Sequence, residues 1–144
     1  MWRAPTIADL SLSISETELD AYSAAATESG ETAEGLLRRG ADLARGYLRR
    51  NRAVTLGPAG TVPEAVVAPL MDYLAVDVVK RTPLGVSDDR RRARDQALQL
   101  FRDIAADRYD VESHGAEDDA SPGGASELAS SAPQRLTPQE LSGL

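Results

Sequence analysis

The chain has 144 residues, 42% of them hydrophobic and 27% charged but only 4% aromatic, a total that suits one domain and excludes a large multidomain enzyme. With no cysteine, disulfide scaffolds, thiolate zinc sites and cysteine nucleophiles are excluded together, and any imidazole-based relay would have to use the single histidine, His114. The formal net charge is −7: residues 1–109 hold 15 basic and 16 acidic side chains, so most of the negative charge falls in residues 110–144, a balance opposed to tight nonspecific binding of phosphate backbones.

So few aromatic residues leave the core to Leu, Ala, Val and Ile, which favours packed helices. The amino-terminal residues Met1-Trp2-Arg3-Ala4-Pro5-Thr6 are followed by no apolar stretch of signal-peptide type. A first short helix is expected from about Thr6 to Leu12, with Thr6 as cap and Ile7 and Leu10 on one face. Ser15-Glu16-Thr17-Glu18 has the form of a capping box, in which a hydroxyl and a carboxylate each accept from a free backbone N–H. A second helix should therefore run from Glu16 to about Thr27, burying Leu19, Tyr22 and Ala26 and ending at Gly30.

Thr32 caps a third and longest helix, roughly Ala33 to Arg52, whose apolar side is read as Leu36, Gly40, Leu43, Tyr47 and Leu48. Its other side carries Arg38, Asp42, Arg45, Arg49 and Arg52 at three- and four-residue steps, a cationic stripe. Gly57-Pro58 and Gly60 make residues 53–62 a loop or short hairpin. The fourth helix, about Pro63 to Arg81, is apolar nearly all round and so must be covered on most sides, by its own domain or by neighbouring subunits. Pro69 inside it removes a hydrogen bond and should bend it, unless regular helix begins only at Pro69. Its apolar run, about 15 residues from Ala65 to Val79 with Asp72 and Asp77 inside, falls short of the roughly 20 that a membrane span needs.

After the turn Thr82-Pro83-Leu84-Gly85, Ser87 caps a fifth helix with Asp88 and Asp89 in its first turn. Ala93, Ala97, Leu100, Phe101, Ile104 and Arg108 form its inner stripe, and the helical core is expected to close near Tyr109. From Asp110 the composition turns to Glu, Asp, Ser, Gly and Ala, which reads as a flexible acidic arm. Its end regains Leu136, Leu141 and Leu144, with Thr137 as cap and Pro138 in the first turn, the form of a short docking segment.

No GxGxxG, Walker-type, HExxH or GxSxG pattern occurs, and the neighbouring carboxylates Asp88-Asp89 and Glu117-Asp118-Asp119 diverge rather than converge. The expectation is a protein without catalytic activity, cofactor or metal. The strongest polar features are the stripe Arg38, Arg45, Arg49, Arg52 and the cluster Arg90-Arg91-Arg92-Arg94. Each suits contacts between subunits, phosphate contacts with DNA, or a solvated face whose arginine stems cover apolar surface.

The order of elements carries a resemblance. Thr6, Asp9 and Leu10 form a "T-x-x-D-L" turn ahead of a small acidic helix with Glu16, Glu18 and Leu19. The long helix contains "A-x-L-A-R-G-Y-L-R" from Ala41 to Arg49. After a Gly/Pro loop come "V-P-E-x-V…L-x-x-Y-L-A-x-D-V" from Val62 to Val78 and "R-x-x-A-L-x-L-F-R-D-I-A" from Arg94 to Ala105. Over about residues 4–109 this resembles a family of small head-and-neck proteins of Mu-like phages and prophages, related in fold to the head-tail adaptors, or connectors. Pro69 and the long acidic arm depart from the family's pattern.

The resemblance implies an all-α structural protein: a helical adaptor domain over residues 1–109 and an arm over 110–144. It implies a homo-oligomeric ring of about twelve copies, docked on the portal protein, with a stopper or tail-completion protein below and DNA passing through without sequence-specific binding. The protein would then belong to the virion neck, and to the host cytoplasm during assembly, with no membrane partner. Docking on the portal would fall to Leu136, Leu141 and Leu144, and contacts between subunits or with the channel to Arg38, Arg45, Arg49 and Arg52. The alternatives are a neck stopper one layer lower and a small DNA-binding regulator using the arginine stripe.

Overall fold

Hydroxyl groups set where most of the helices begin. The computed structural model describes residues 1–29, 31–81 and 85–115, in the order β1 (Trp2–Arg3), α1 (Ile7–Leu10), α2 (Glu16–Ser29), α3 (Ala33–Leu48), β2 (Val62–Pro63), α4 (Glu64–Lys80) and α5 (Asp88–Ala105). At α1 the Asp9 N–H donates to Thr6 Oγ1 (3.3 Å) while the Thr6 N–H donates to the Asp9 carboxylate (2.8 Å). The same reciprocal pair joins Ser15 and Glu18 at α2, at 3.2 and 2.9 Å. Thr32 accepts from the Gly35 N–H at 3.0 Å to start α3, and Ser87 from the Arg90 N–H at 3.2 Å to start α5. Each hydroxyl satisfies a first-turn N–H that has no partner within the helix. Among the described residues the architecture is a small all-α bundle of five helices with one two-residue antiparallel ladder, in which Trp2 faces Pro63 and Arg3 faces Val62.

α4 is the axis of the bundle. Val66, Val67, Leu70, Met71, Leu74, Ala75, Val76, Val78 and Val79 are all buried, because α5, α3, α1, α2 and β2 pack around it. The chain's own helices therefore supply the cover that its all-round apolar character demands. Of the two covers the sequence allowed, its own domain or neighbouring subunits, the first is the one seen. The helix runs unbroken from Glu64, with Pro63 as its cap residue rather than its first helical one. Pro69 lies inside; the carbonyl deprived of its N–H belongs to Ala65, an exposed residue that water can reach.

α3 meets α4 through a close approach at Gly40, where a Cβ would stand 2.7 Å from Leu74 Cδ1. Leu36, Leu37, Ala41, Ala44 and Leu48 complete its buried face. Leu43, expected on that face, is instead exposed. The helix ends at Leu48, earlier than its periodicity suggests, because Asn51 turns inward. The Asn51 Nδ2 donates to the Ile104 carbonyl (2.9 Å) and to Asp107 Oδ1 (3.3 Å), and its Oδ1 accepts from the Ala53 N–H (2.8 Å). This latch sets the carboxyl ends of α3 and α5 side by side. α5 closes with Asp107 in the left-handed region (φ 60°). The Arg108 N–H donates to the Asp103 carbonyl and the Asp107 N–H to that of Ile104, the pattern that commonly ends helices on glycine.

Of the inner stripe expected on α5, Ala97, Phe101 and Ile104 are buried, Leu100 is half-buried, and Arg108 is exposed and paired with Asp103. The compact body extends to His114, beyond the expected closure at Tyr109. Trp2 Nε1 donates to the Glu112 carbonyl (2.9 Å), the His114 N–H to the Thr55 carbonyl (2.8 Å), and the Glu112 carboxylate pairs with the amino-terminal nitrogen. The expected end of α2 at Gly30, residues 82–84 of the turn, and the docking residues Leu136, Leu141 and Leu144 lie outside the described residues.

Candidate subunit interface

The arginines divide into those engaged within the chain and those left to solvent. Arg45 belongs to the first group although its spacing placed it on the cationic stripe. Its Nη1 donates to the carbonyls of Pro58 (2.9 Å) and Thr61 (2.8 Å) and its Nη2 to that of Gly57 (3.1 Å). Three carbonyls of one loop thus converge on one guanidinium, which also lies 6.0 Å from the centre of the Trp2 ring. Gly57 permits this close folding, since a Cβ there would meet Trp2 at 3.0 Å. Arg45 is accordingly a loop anchor within the chain.

The cluster on α5 is engaged in the same way. Arg90 donates to the Ser13 carbonyl (3.1 Å) and to Glu18 (2.8 Å). Arg91 and Arg92 pair with Asp88 and Asp89 one turn earlier, on the exposed side. Arg94 reaches Asp77 at 3.3 Å and stands 4.3 Å over the Tyr73 ring. Asp88 and Asp89 therefore act at the positive end of α5 and on its arginines. A second network joins α2, α3 and α4, in which Glu31 receives Arg39 (2.9 Å), Arg81 (3.0 Å) and the Tyr22 hydroxyl (3.4 Å). Hydrogen bonding from Arg39 holds the Glu31 carboxyl below its usual range. Burial, with the Glu31 charge beside it, pushes the Tyr22 phenol up. Sequence patterning did not single out this network, because its members come from α2, α3, the segment between them and the residue after α4.

With Arg102 of α5 also exposed, outward-facing arginines lie on the far side of α3. Arg38, Asp42, Leu43, Gly46 and Arg49 are exposed there, followed by Arg50 and Arg52 just past the helix end. Within the described residues no ion pair is made by Arg38, Arg49 or Arg52, whereas Arg50 lies over the Tyr47 ring at 5.6 Å. A shallow concavity of about 360 Å³ runs along this side, lined by Asp42, Leu43, Gly46, Tyr47 and Arg50. A Cβ on Gly46 would meet nothing within 4 Å. The helix thus gives up side-chain bulk and helical propensity at the point where its outer face is most open, a signal available from the sequence as a glycine in mid-helix.

Among the described residues no group of three or more His, Asp or Glu converges to hold a metal ion, and no helix is long and apolar enough to cross a membrane. The outer side of α3 offers contact area and charge, and a separate polar recess of about 170 Å³ is lined by Tyr22, Glu31, Arg39, Asp77, Lys80 and Arg81. No family model, curated protein or solved structure matches the chain.

Proposed function

We propose that the chain is a non-enzymatic assembly subunit, a head-tail adaptor of a tailed phage or phage-like particle that forms a ring on the portal and extends the DNA channel toward the tail. The observation that carries this reading is the outer side of α3. It keeps Arg38, Arg49 and Arg52 without ion pairs among the described residues, beside an exposed leucine and an open glycine, while Arg45 and Arg90, Arg91, Arg92 and Arg94 are engaged within the chain. A protein contact made through such a surface needs no cavity and no cofactor. The order of motifs from Thr6 to Ala105 supports the adaptor role in particular. The pairing of Arg90, Arg91, Arg92 and Arg94 with carboxylates makes the α5 cluster a poor phosphate contact, because charge already paired displaces fewer counterions, so a DNA-binding regulator would have to rely on Arg38, Arg49 and Arg52.

Electron microscopy of the protein mixed with the purified portal of the same particle tests the reading. Rings stacked on the portal are expected, and removal of residues 133–144 should weaken the stacking while leaving the body folded. A protein that ignores the portal but binds duplex DNA with a steep salt dependence would overturn it.

A further inference from the structure

The outer side of α3 has an internal symmetry that names its partner. Asp42 and Arg50 stand four residues on either side of Gly46, Leu43 and Arg49 stand three on either side, and all of them are exposed. When two identical helices cross antiparallel at a shared residue, each position faces the one equally far on the other side of the crossing. With Gly46 at the crossing, Asp42 of each copy faces Arg50 of the other, and Leu43 faces the aliphatic stem of Arg49. Two opposite-charge pairs and two apolar contacts form by one two-fold operation. The bare Gly46 lets the axes approach toward the short end of the 8–10 Å that packed helices adopt.

We infer that the free protein pairs with a second copy of itself through α3, antiparallel about Gly46, with Asp42 and Arg50 exchanging salt bridges across the two-fold axis. A parallel crossing is disfavoured, since it would set Asp42 against Asp42 and Arg50 against Arg50. One helix face is a small interface, so the pair dissociates on dilution and weakens with salt. The inference rests on α3 as a contact surface and not on the adaptor role. A two-fold pair does not close a ring, and it would keep this side of α3 covered in the unassembled protein.

Charge reversal tests the pair on the full chain by sedimentation equilibrium over a concentration series, with circular dichroism to confirm folding. Both positions are exposed, so the variants should fold as the parent does. Asp42→Arg alone and Arg50→Asp alone should each weaken self-association by at least about tenfold, because each creates two like-charge contacts per pair. Mixing these two variants should restore association as a heterodimer. The double reversal should associate with itself and fail to join the parent chain. A parent protein that stays monomeric throughout overturns the inference. So does a single reversal that associates as the parent does, or a mixture that associates no better than its components. Ring formation on the portal is read separately by microscopy, so the failure of one idea is distinguishable from the failure of the other.

Discussion

Gly40 and Gly46 share one helix and occupy opposite environments. At Gly40 a Cβ would stand within 2.7–3.2 Å of three side-chain atoms of Leu74, a residue with no exposed surface, so glycine there lets α3 and α4 touch. At Gly46 the same added carbon would meet nothing. The inner side of α3 is determined by volume; the outer side at Gly46 meets nothing among the described residues. The lesson is that a helix interior can hold two glycines for unrelated reasons, one closing a core and one leaving a surface open.

The contrast can be broken most severely from the facing helix. Phe101 is buried, with the rings of Tyr47 and Tyr73 at 5.9 and 6.2 Å. Phe101→Ala is expected to destabilise the fold by about 3–5 kcal/mol in denaturant unfolding, as for other large-to-small changes in cores. Leu100→Ala should lose distinctly less, since Leu100 is only half-buried. Next in size is Gly40→Val, which forces branched bulk against Leu74 and should cost about 2–3 kcal/mol in the same measurement.

A comparable effect comes from charge at the amino-terminal end. Arg3 donates to Asp9 at 2.7 and 2.9 Å, and this holds the Asp9 carboxyl at about 2, below its ordinary 3.8. A depressed carboxylate stabilises the fold above its unfolded-state value and ceases to do so as protons bind. The contribution, on the order of 2 kcal/mol, should be complete above about pH 4 and disappear as the pH falls through about 2. Asp9→Asn should flatten that limb of the stability curve. The smallest expected effect has the opposite sign. Gly46→Ala should raise monomer stability by about 0.5–1 kcal/mol through helix propensity alone, read as a higher midpoint in dilute solution. A loss instead would mean that the outer side of α3 is packed after all.

The helix starts were legible because a cap is local: Thr6, Ser15, Thr32 and Ser87 each act on an N–H within three residues. The all-round apolar pattern of α4 was legible as a demand for cover, though not as a statement of what covers it. The pairing of Trp2–Arg3 with Val62–Pro63 was not legible, since two-residue strands have no period. The loop-anchoring bonds of Arg45 were not legible for a similar reason. Its step on the stripe is right, yet three loop carbonyls far along the chain decide where its guanidinium goes. Nothing near His114 in sequence shows that its backbone N–H is held by Thr55 and that its ring meets Trp2 edge-on. For the contact surface, the exposure of Arg38, Arg49 and Arg52 followed from spacing, whereas Leu43 was assigned to the wrong side because it flanks the boundary between the two faces.

The hydrogen bond from Trp2 to the Glu112 carbonyl spans 110 positions of sequence, so it unites residues that are synthesised far apart in time. During synthesis the indole waits while four helices emerge, and its final seat does not exist until α5 has left the ribosome and turned back. Closing so long a loop belongs late in folding, after the local turns have formed. Because this is the chain's one tryptophan, its fluorescence is a natural clock for that last closure, separable from helix formation followed by circular dichroism.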